Sequence, residues 1–450
     1  MASRFVRSSK YRHVFGTAAK KELTYDNLAP SRSAWDSNKV TASAKHVAVV
    51  WEARGGGSFA VVPKDQVGKM PPNYPLVAGH TADVLDIEFN PFNDNLIASG
   101  SDDGYCKIWN IPDAGLTETL TEPVQNLMGH KRKVGSVNHN PVANNVLATT
   151  STDFSIKVWD IEKGESVLDV PGHTDIIQSL AWNRNGSLFA TTCKDKKMRI
   201  VDPRASSVAG EVEAHAGVKG MRCTWLGHRN QVITTGFSKT SDRQYAIWDP
   251  ANLSKPVAQS NIDTASGIIM PFYDEDTSLL FLAGKGDGNI RYYELVDDAP
   301  FIHYISEYKS NVPQRGMSVA PKLIYDFSTC EVMRLMKLTG NAIEPVSFCV
   351  PRKSDIFQDD LYPDTYAFQP ALQASAWLGG SNADPVMTKV TPGEDFARKP
   401  AAEFKPEVKA EPKPLSETEL RAEVERLTKR VAFLEAEMVK KDAKIAELSK

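Results

Sequence analysis

Serine or threonine, histidine and aspartate recur in this chain at spacings that could do hydrolytic chemistry. His80, Ser99 and Asp103 form one set, and His130, Thr149 and Asp153 a second. His173, Thr191 and Asp195 form a third, and His215, Ser238 and Asp242 a fourth. In a hydrolase such a trio supplies a nucleophilic hydroxyl, a general base and an orienting carboxylate. Here each set has a companion six residues beyond its Asp: Trp109, Trp159, Val201 and Trp248. A trio repeated along the chain with an indole attached reads as structure. A buried indole N–H, hydroxyl or imidazole left without a partner costs about 1–3 kcal/mol.

The elements that must position these groups are repeats. Gly79, Gly129, Gly172 and Ala214 precede the four His residues, and the Asp beats fall 42 to 50 residues apart. A fifth beat, Asp287 with Tyr293, lacks the His. Marks of this kind at about 40–45 residues resemble the WD-type β-propeller. One blade cannot bury both its faces, so neighbouring blades and a closed ring are required. In the WD family such residues form a hydrogen-bonded staple within one blade, from Trp through Ser or Thr and His to Asp. Val201 stands at the third Trp position, Tyr293 at the fifth, and Ala283 where the fifth hydroxyl belongs. Those blades are expected to depend more on apolar packing.

The 450 residues are 41% hydrophobic and 24% charged, with net charge −3. That balance argues against a dedicated nucleic-acid binder. The five cysteines stand alone, as reduced thiols would, and the nine histidines show no metal-ligand spacing. Gly55-Gly56-Gly57-Ser58 lacks the Lys of a phosphate-binding loop and reads as a hairpin turn. No enzyme, metal or cofactor signature emerges. Met1–Phe15 lacks the apolar run of a signal peptide, and no apolar stretch is long enough to span a membrane, so a cytoplasmic protein is expected.

Short β-runs separated by turns give an all-β, seven-bladed propeller over residues 1–350, closed by an N-terminal strand within Phe5–Phe15. An aromatic-bearing extension, 351–390, is expected to pack on it, and 391–415 to form a solvated, flexible linker. Residues 416–450 read as an α-helical coiled coil opened by the capping box Ser416–Glu419. Its seam runs through Leu420, Val424, Leu427, Val431, Leu434, Met438, Ile445 and Leu448, broken by Lys441. Val at a with Leu at d favours a parallel dimer.

Several further motifs lie outside the WD pattern. They include Ser9-Lys10-Tyr11-Arg12-His13-Val14-Phe15-Gly16, Lys194-Asp195-Lys196-Lys197 and Gly236-Phe237-Ser238-Lys239. Others are Pro271-Phe272-Tyr273-Asp274, Gly284-Lys285-Gly286-Asp287, Pro313-Gln314-Arg315-Gly316 and Val350-Pro351-Arg352-Lys353-Ser354-Asp355. Together with the terminal coiled coil they resemble the short, conventional coronins.

The resemblance implies a non-enzymatic protein of the actin cytoskeleton and cell cortex. It would bind and bundle actin filaments, and act with the branched-filament nucleator and with cofilin. A generic WD scaffold for membrane traffic or signalling is the alternative. The resemblance also sets Arg430 and Glu435 in an Arg-h-x-x-h-Glu pattern of trimeric coiled coils, which favours a homotrimer over the dimer. Basic candidates for the actin contact are Arg7, Lys10, Arg12, Arg32, Lys131, Arg132 and Lys133. Where many coronins place a filament-contacting basic residue this chain has Ala29, with Arg32 nearest.

Overall fold

The computed structural model describes residues 8–52, 56–353, 356–391, 404–407 and 428. The chain divides into two units, Met1–Pro406 and Glu407–Lys450. The seam residues Val424, Leu427, Arg430, Val431, Leu434, Glu435, Met438, Ile445 and Leu448 lie outside the described residues.

The first unit is a ring of seven sheets, antiparallel except where Tyr25–Asp26 pairs in parallel with Gly68–Lys69 at the edge of the seventh. Blade 1 holds Val40–Ala42, His46–Trp51, Gly57–Pro63 and Val77–His80. Blade 2 spans Val84–Leu127, blade 3 Val134–Val170 and blade 4 Ile177–Glu213. Blade 5 spans Arg222–Asp263 and blade 6 Ile269–Lys309. In each, the chain steps outward strand by strand. Inner strands are buried on both faces by neighbouring blades and so read as continuous apolar or small runs, such as Val146–Ser151. The core is accordingly a series of seams. Ala48, Val50 and Phe59 of blade 1, for example, pack on Val84, Ile87, Ile97 and Trp109 of blade 2.

Blade 7 takes Gly316–Val319, Glu331–Leu338 and Ile343–Cys349 from one end of the ring and Phe15–Ala18 from the other. The closing strand pairs Phe15 with Cys349 and Ala18 with Val346. It begins where the expected Phe5–Phe15 strand ends. The residues before it serve as anchors instead: Tyr11 donates its hydroxyl to Leu361 O at 2.9 Å, and Tyr292 donates to Val14 O at 2.8 Å.

Strand alternation defines two rims. The turns between second and third strands, and the connections between blades, share the upper rim. The remaining hairpins form the lower rim. Below, residues 361–391 run across the channel mouth as a strap. Its hairpin, Thr365–Tyr366 with Met387–Thr388, bonds Asp276 of blade 6 through Thr365 and Pro141 O of blade 3 through the Tyr366 hydroxyl. The helix Ala374–Leu378 then buries Trp377 completely, with Nε1 donating to Gly186 O at 2.8 Å. Phe404, within the stretch expected to be solvated linker, is half-buried against the cluster containing Leu127 and Trp159.

Candidate interaction surface

The hydrogen-bonded sets are built on the seams, which changes their meaning. His80 ends the outer strand of blade 1, yet Ser99 and Asp103 belong to blade 2. Trp109 Nε1 donates to Ser99 Oγ at 2.8 Å, and the hydroxyl faces His80 Nε2 at 2.7 Å. His80 Nδ1 lies 2.9 Å from Asp103 Oδ2. Burial opposes ionisation of Asp103, but the His80 bond with the N–H groups of Tyr105 and Thr81 overcomes it, bringing the carboxyl down to about 2. Trp159, Thr149, His130 and Asp153 repeat the arrangement between blades 2 and 3. The staples therefore join neighbouring blades, where one within each blade was expected.

At the fourth beat Ser238 is not the staple hydroxyl. Trp248 Nε1 donates to Thr234 Oγ1 at 2.9 Å, and His215 Nε2 lies 3.0 Å from the same oxygen. The hairpin here is longer, so Thr234 and Trp248 keep their pairing while the residues between them shift. Ser238 and Asp242 bond one another in the turn at 3.0 Å, and His215 has no bond to Asp242. At the third beat His173 reaches Thr191 at 2.9 Å, while Asp195 is taken by Arg199 and Thr174. Burial alone drives His215 down to about 4, and drives His173 there with help from the Arg199 charge.

At the third beat Val201 is buried in the apolar cluster with Phe189 and Trp377, and at the fifth Tyr293 packs with Tyr245 and Leu280, but the fifth beat also gains an ion pair. Arg243, 1% exposed, grips Asp263 through Nε and Nη2, and its Nη2 also meets Asp287 of the next blade at 2.6 Å. The guanidinium thus stands where the fifth beat lacks its histidine. Gly284 makes room for it, since a Cβ there would lie 2.2 Å from Arg243 Nη1.

The basic candidates separate onto two rims. Arg32 and Lys131–Lys133 lie on the upper rim, Arg32 paired with Glu52 and Lys133 with Asp102. Lys131 and Arg132 are exposed and make no ion pair among the described residues. Lys10 and Arg12 lie beneath blade 7, where Lys10 donates to Asp360 O, just before the strap, at 2.7 Å. Arg7 falls outside the described residues.

Sequence reasoning missed the centre of the upper rim. Residues 31–36 cross the channel mouth, held by Trp35, whose Nε1 donates to Gly135 O at 2.7 Å. Gly135 has to lack a side chain, since a Cβ would fall 2.2 Å from the Trp35 ring. Lys285 donates to Trp35 O and Asp36 Oδ1, and Arg222 to Asp36 O. Lys285 directly follows a second strand, and Arg315 directly precedes a first strand. Both positions face the mouth in any blade, and that register was a signal beside the two motifs, Gly284–Asp287 and Pro313–Gly316, that hold them.

Comparison with known proteins decides the family. The chain is 56% identical to Coronin-A of Dictyostelium discoideum over 448 residues, covering 99% of this chain and 100% of that protein. The chain belongs to the coronin family. Human Coronin-2A is 44% identical over 399 residues, covering 87% of this coronin and 76% of the human chain. The WD40 domain of Toxoplasma gondii coronin superposes with a TM-score of 0.80 at 34% identity, covering 85% of this chain and 98% of that one.

WD domain, G-beta repeat matches fall at 73–110, 121–160 and 164–202, and a domain of unknown function (DUF1899) at 4–69. A further type of WD40 repeat matches 343–385. In this coronin that last stretch leaves the propeller after Cys349 and continues into the strap. Among the described residues no group of His, Cys, Asp or Glu is placed to hold a metal, and no helix is long and apolar enough to cross a membrane.

Proposed function

We propose that this coronin regulates actin by binding the sides of filaments with its upper rim and cross-linking them through its C-terminal coiled coil. The carrying observation is the composition of that rim. Lys131 and Arg132 project unpaired beside Met128, and Tyr105, Phe154, Val218 and Val312 expose apolar surface on loops of the same rim. Cationic loops carrying exposed hydrophobics suit an acidic protein surface with apolar contacts. A segment crosses each mouth, the strap below and residues 31–36 above, but the upper loops around the latter expose Tyr105, Met128, Phe154, Val218 and Val312.

Cross-linking requires more than one propeller per particle. Arg430 and Glu435 flank the proposed seam, and the trimer reading rests on that six-residue pattern. Three linked sites gain avidity of order 10²–10⁴ where geometry permits joint engagement. Cooperation with the branched-filament nucleator and with cofilin at the cell cortex is proposed on family resemblance.

Co-sedimentation with actin filaments tests the reading, full chain beside a chain ending at Val390. The shortened protein should bind more weakly and not bundle. A full chain that stays in the supernatant would favour a generic WD scaffold.

A further inference from the structure

Next to the arm at the upper mouth lies an open basin of about 700 Å³ between blades 5, 6 and 7. Lys219, Lys285 and Arg315 line it, with a single carboxylate, Asp36. Lys219 and Arg315 are exposed and make no ion pair among the described residues. Lys219 instead sits 4.7 Å from the Phe237 ring centre. Lys285 binds Asp36 at 2.8 Å. Behind them Lys39 is 5% exposed and donates to Ser33 O. Burial first, then the charges of Lys285 and Arg315, push the Lys39 ammonium down to about 8 against the pull of Asp36 and Asp83. Three cationic side chains thus line the basin against one half-exposed carboxylate, so positive charge predominates on its wall.

We propose that this basin is a binding site for a compact, soluble polyphosphate anion, and that Asp36 occupies part of it as an internal substitute. Three features carry the assignment. Asp36 already shows an anion held by Lys285. Arg315 and Lys219 remain free to supply charge-assisted bonds, which are stronger than neutral ones. The site is a depression below the exposed Val218 and Val312 loops, a shape that admits a small anion more readily than a flat bilayer. The basin adjoins loops that the filament reading also uses, but a titration without filaments reads the anion site by itself, so either can fail alone.

The test is isothermal titration of the full chain with sodium tripolyphosphate, beside vesicles of neutral lipid carrying a bisphosphorylated inositol lipid. Wild type should bind tripolyphosphate saturably. Arg315→Ala and Lys219→Ala should each weaken binding about tenfold, the loss of one charge-assisted contact. Asp36→Asn should tighten binding by removing the competitor. Lys163→Ala, on the lower rim, should change nothing, and the melting temperatures of the Arg315 and Lys219 variants should match wild type, since both side chains are exposed. No heat with tripolyphosphate, equal weakening by Lys163→Ala, or binding confined to the vesicles would each overturn the proposal.

Discussion

His80 and Ser99 lie 2.7 Å apart across the boundary between blades 1 and 2. The contact that WD sequence patterns mark by one repeat is therefore a weld between two sheets. Removing it should loosen a seam before it loosens a blade.

Thr234 and Ser238 separate the two readings of the fourth weld. Thr234→Val strands Trp248 Nε1 and His215 together, and should cost about 1–3 kcal/mol. Ser238→Ala, in the turn, should change stability by less than roughly 0.5 kcal/mol. Urea unfolding of both variants checks this. A larger loss from the Ser238 change would restore the pattern-based assignment.

Trp159→Ala empties a large fully buried site and should cost about 3–5 kcal/mol, read from the shift in denaturation midpoint. Arg243→Met strips Asp287 of its ion pair and leaves Asp263 with Arg291 alone, and should cost about 3–5 kcal/mol. Arg243→Lys should rescue little of that loss, because an ammonium cannot make the two parallel bonds to Asp263.

Stability should fall in acid in a defined window. His173 and His215 are held neutral, near 4, against an ordinary value of 6.5. As pH drops from 6.5 towards 4, the unfolded chain takes up protons that the native chain refuses, so native stability declines. Asp103, held near 2, adds its loss only below its ordinary 3.8. Thermal melts between pH 7 and 4.5 should show the histidine step, and the double variant His173→Gln, His215→Gln should flatten it.

Charge on the upper rim should govern filament binding. Replacing Lys131, Arg132 and Lys133 with Glu should reduce co-sedimentation and leave the melting temperature near wild type. The remaining binding should weaken with salt, as exposed charges are screened beyond about 8–10 Å. Unchanged sedimentation of the triple variant would remove this cluster from the contact.

Sedimentation equilibrium of residues 416–450 should give a trimer, and Arg430→Ala should lower its order. A clean wild-type dimer would return the decision to the Val and Leu core positions.

The propeller was legible because its signals are local: the Gly-His pairs, the Asp turns and the six-residue step to Trp survive in any register. The fourth hydroxyl was not, because counting back from Asp242 assumes a hairpin of standard length. Arg243 was invisible for a related reason, since its partners Asp263 and Asp287 lie in another strand and another blade. The basin failed to show because Lys219, Lys285 and Arg315 are scattered singly through the sequence and meet only when the ring closes. Lys10 and Arg12 end on the opposite rim from Arg32 because the closing strand lies between them and carries the backbone from one rim to the other.

Blade 7 borrows Phe15–Ala18 from the N-terminal side of the propeller and Ile343–Cys349 from its C-terminal side. During synthesis the early strand has no sheet to join until some 330 residues have followed it. At ribosomal speeds of about 5–20 residues per second, that wait is roughly 20–60 s. Throughout it, an unpaired segment and six accumulating blades with an open edge share one nascent chain. Such edges recruit other strands. This coronin thus has its greatest exposure to misassembly before release from the ribosome, and a chaperone that shields the N-terminal segment would act at the step where the ring is most vulnerable.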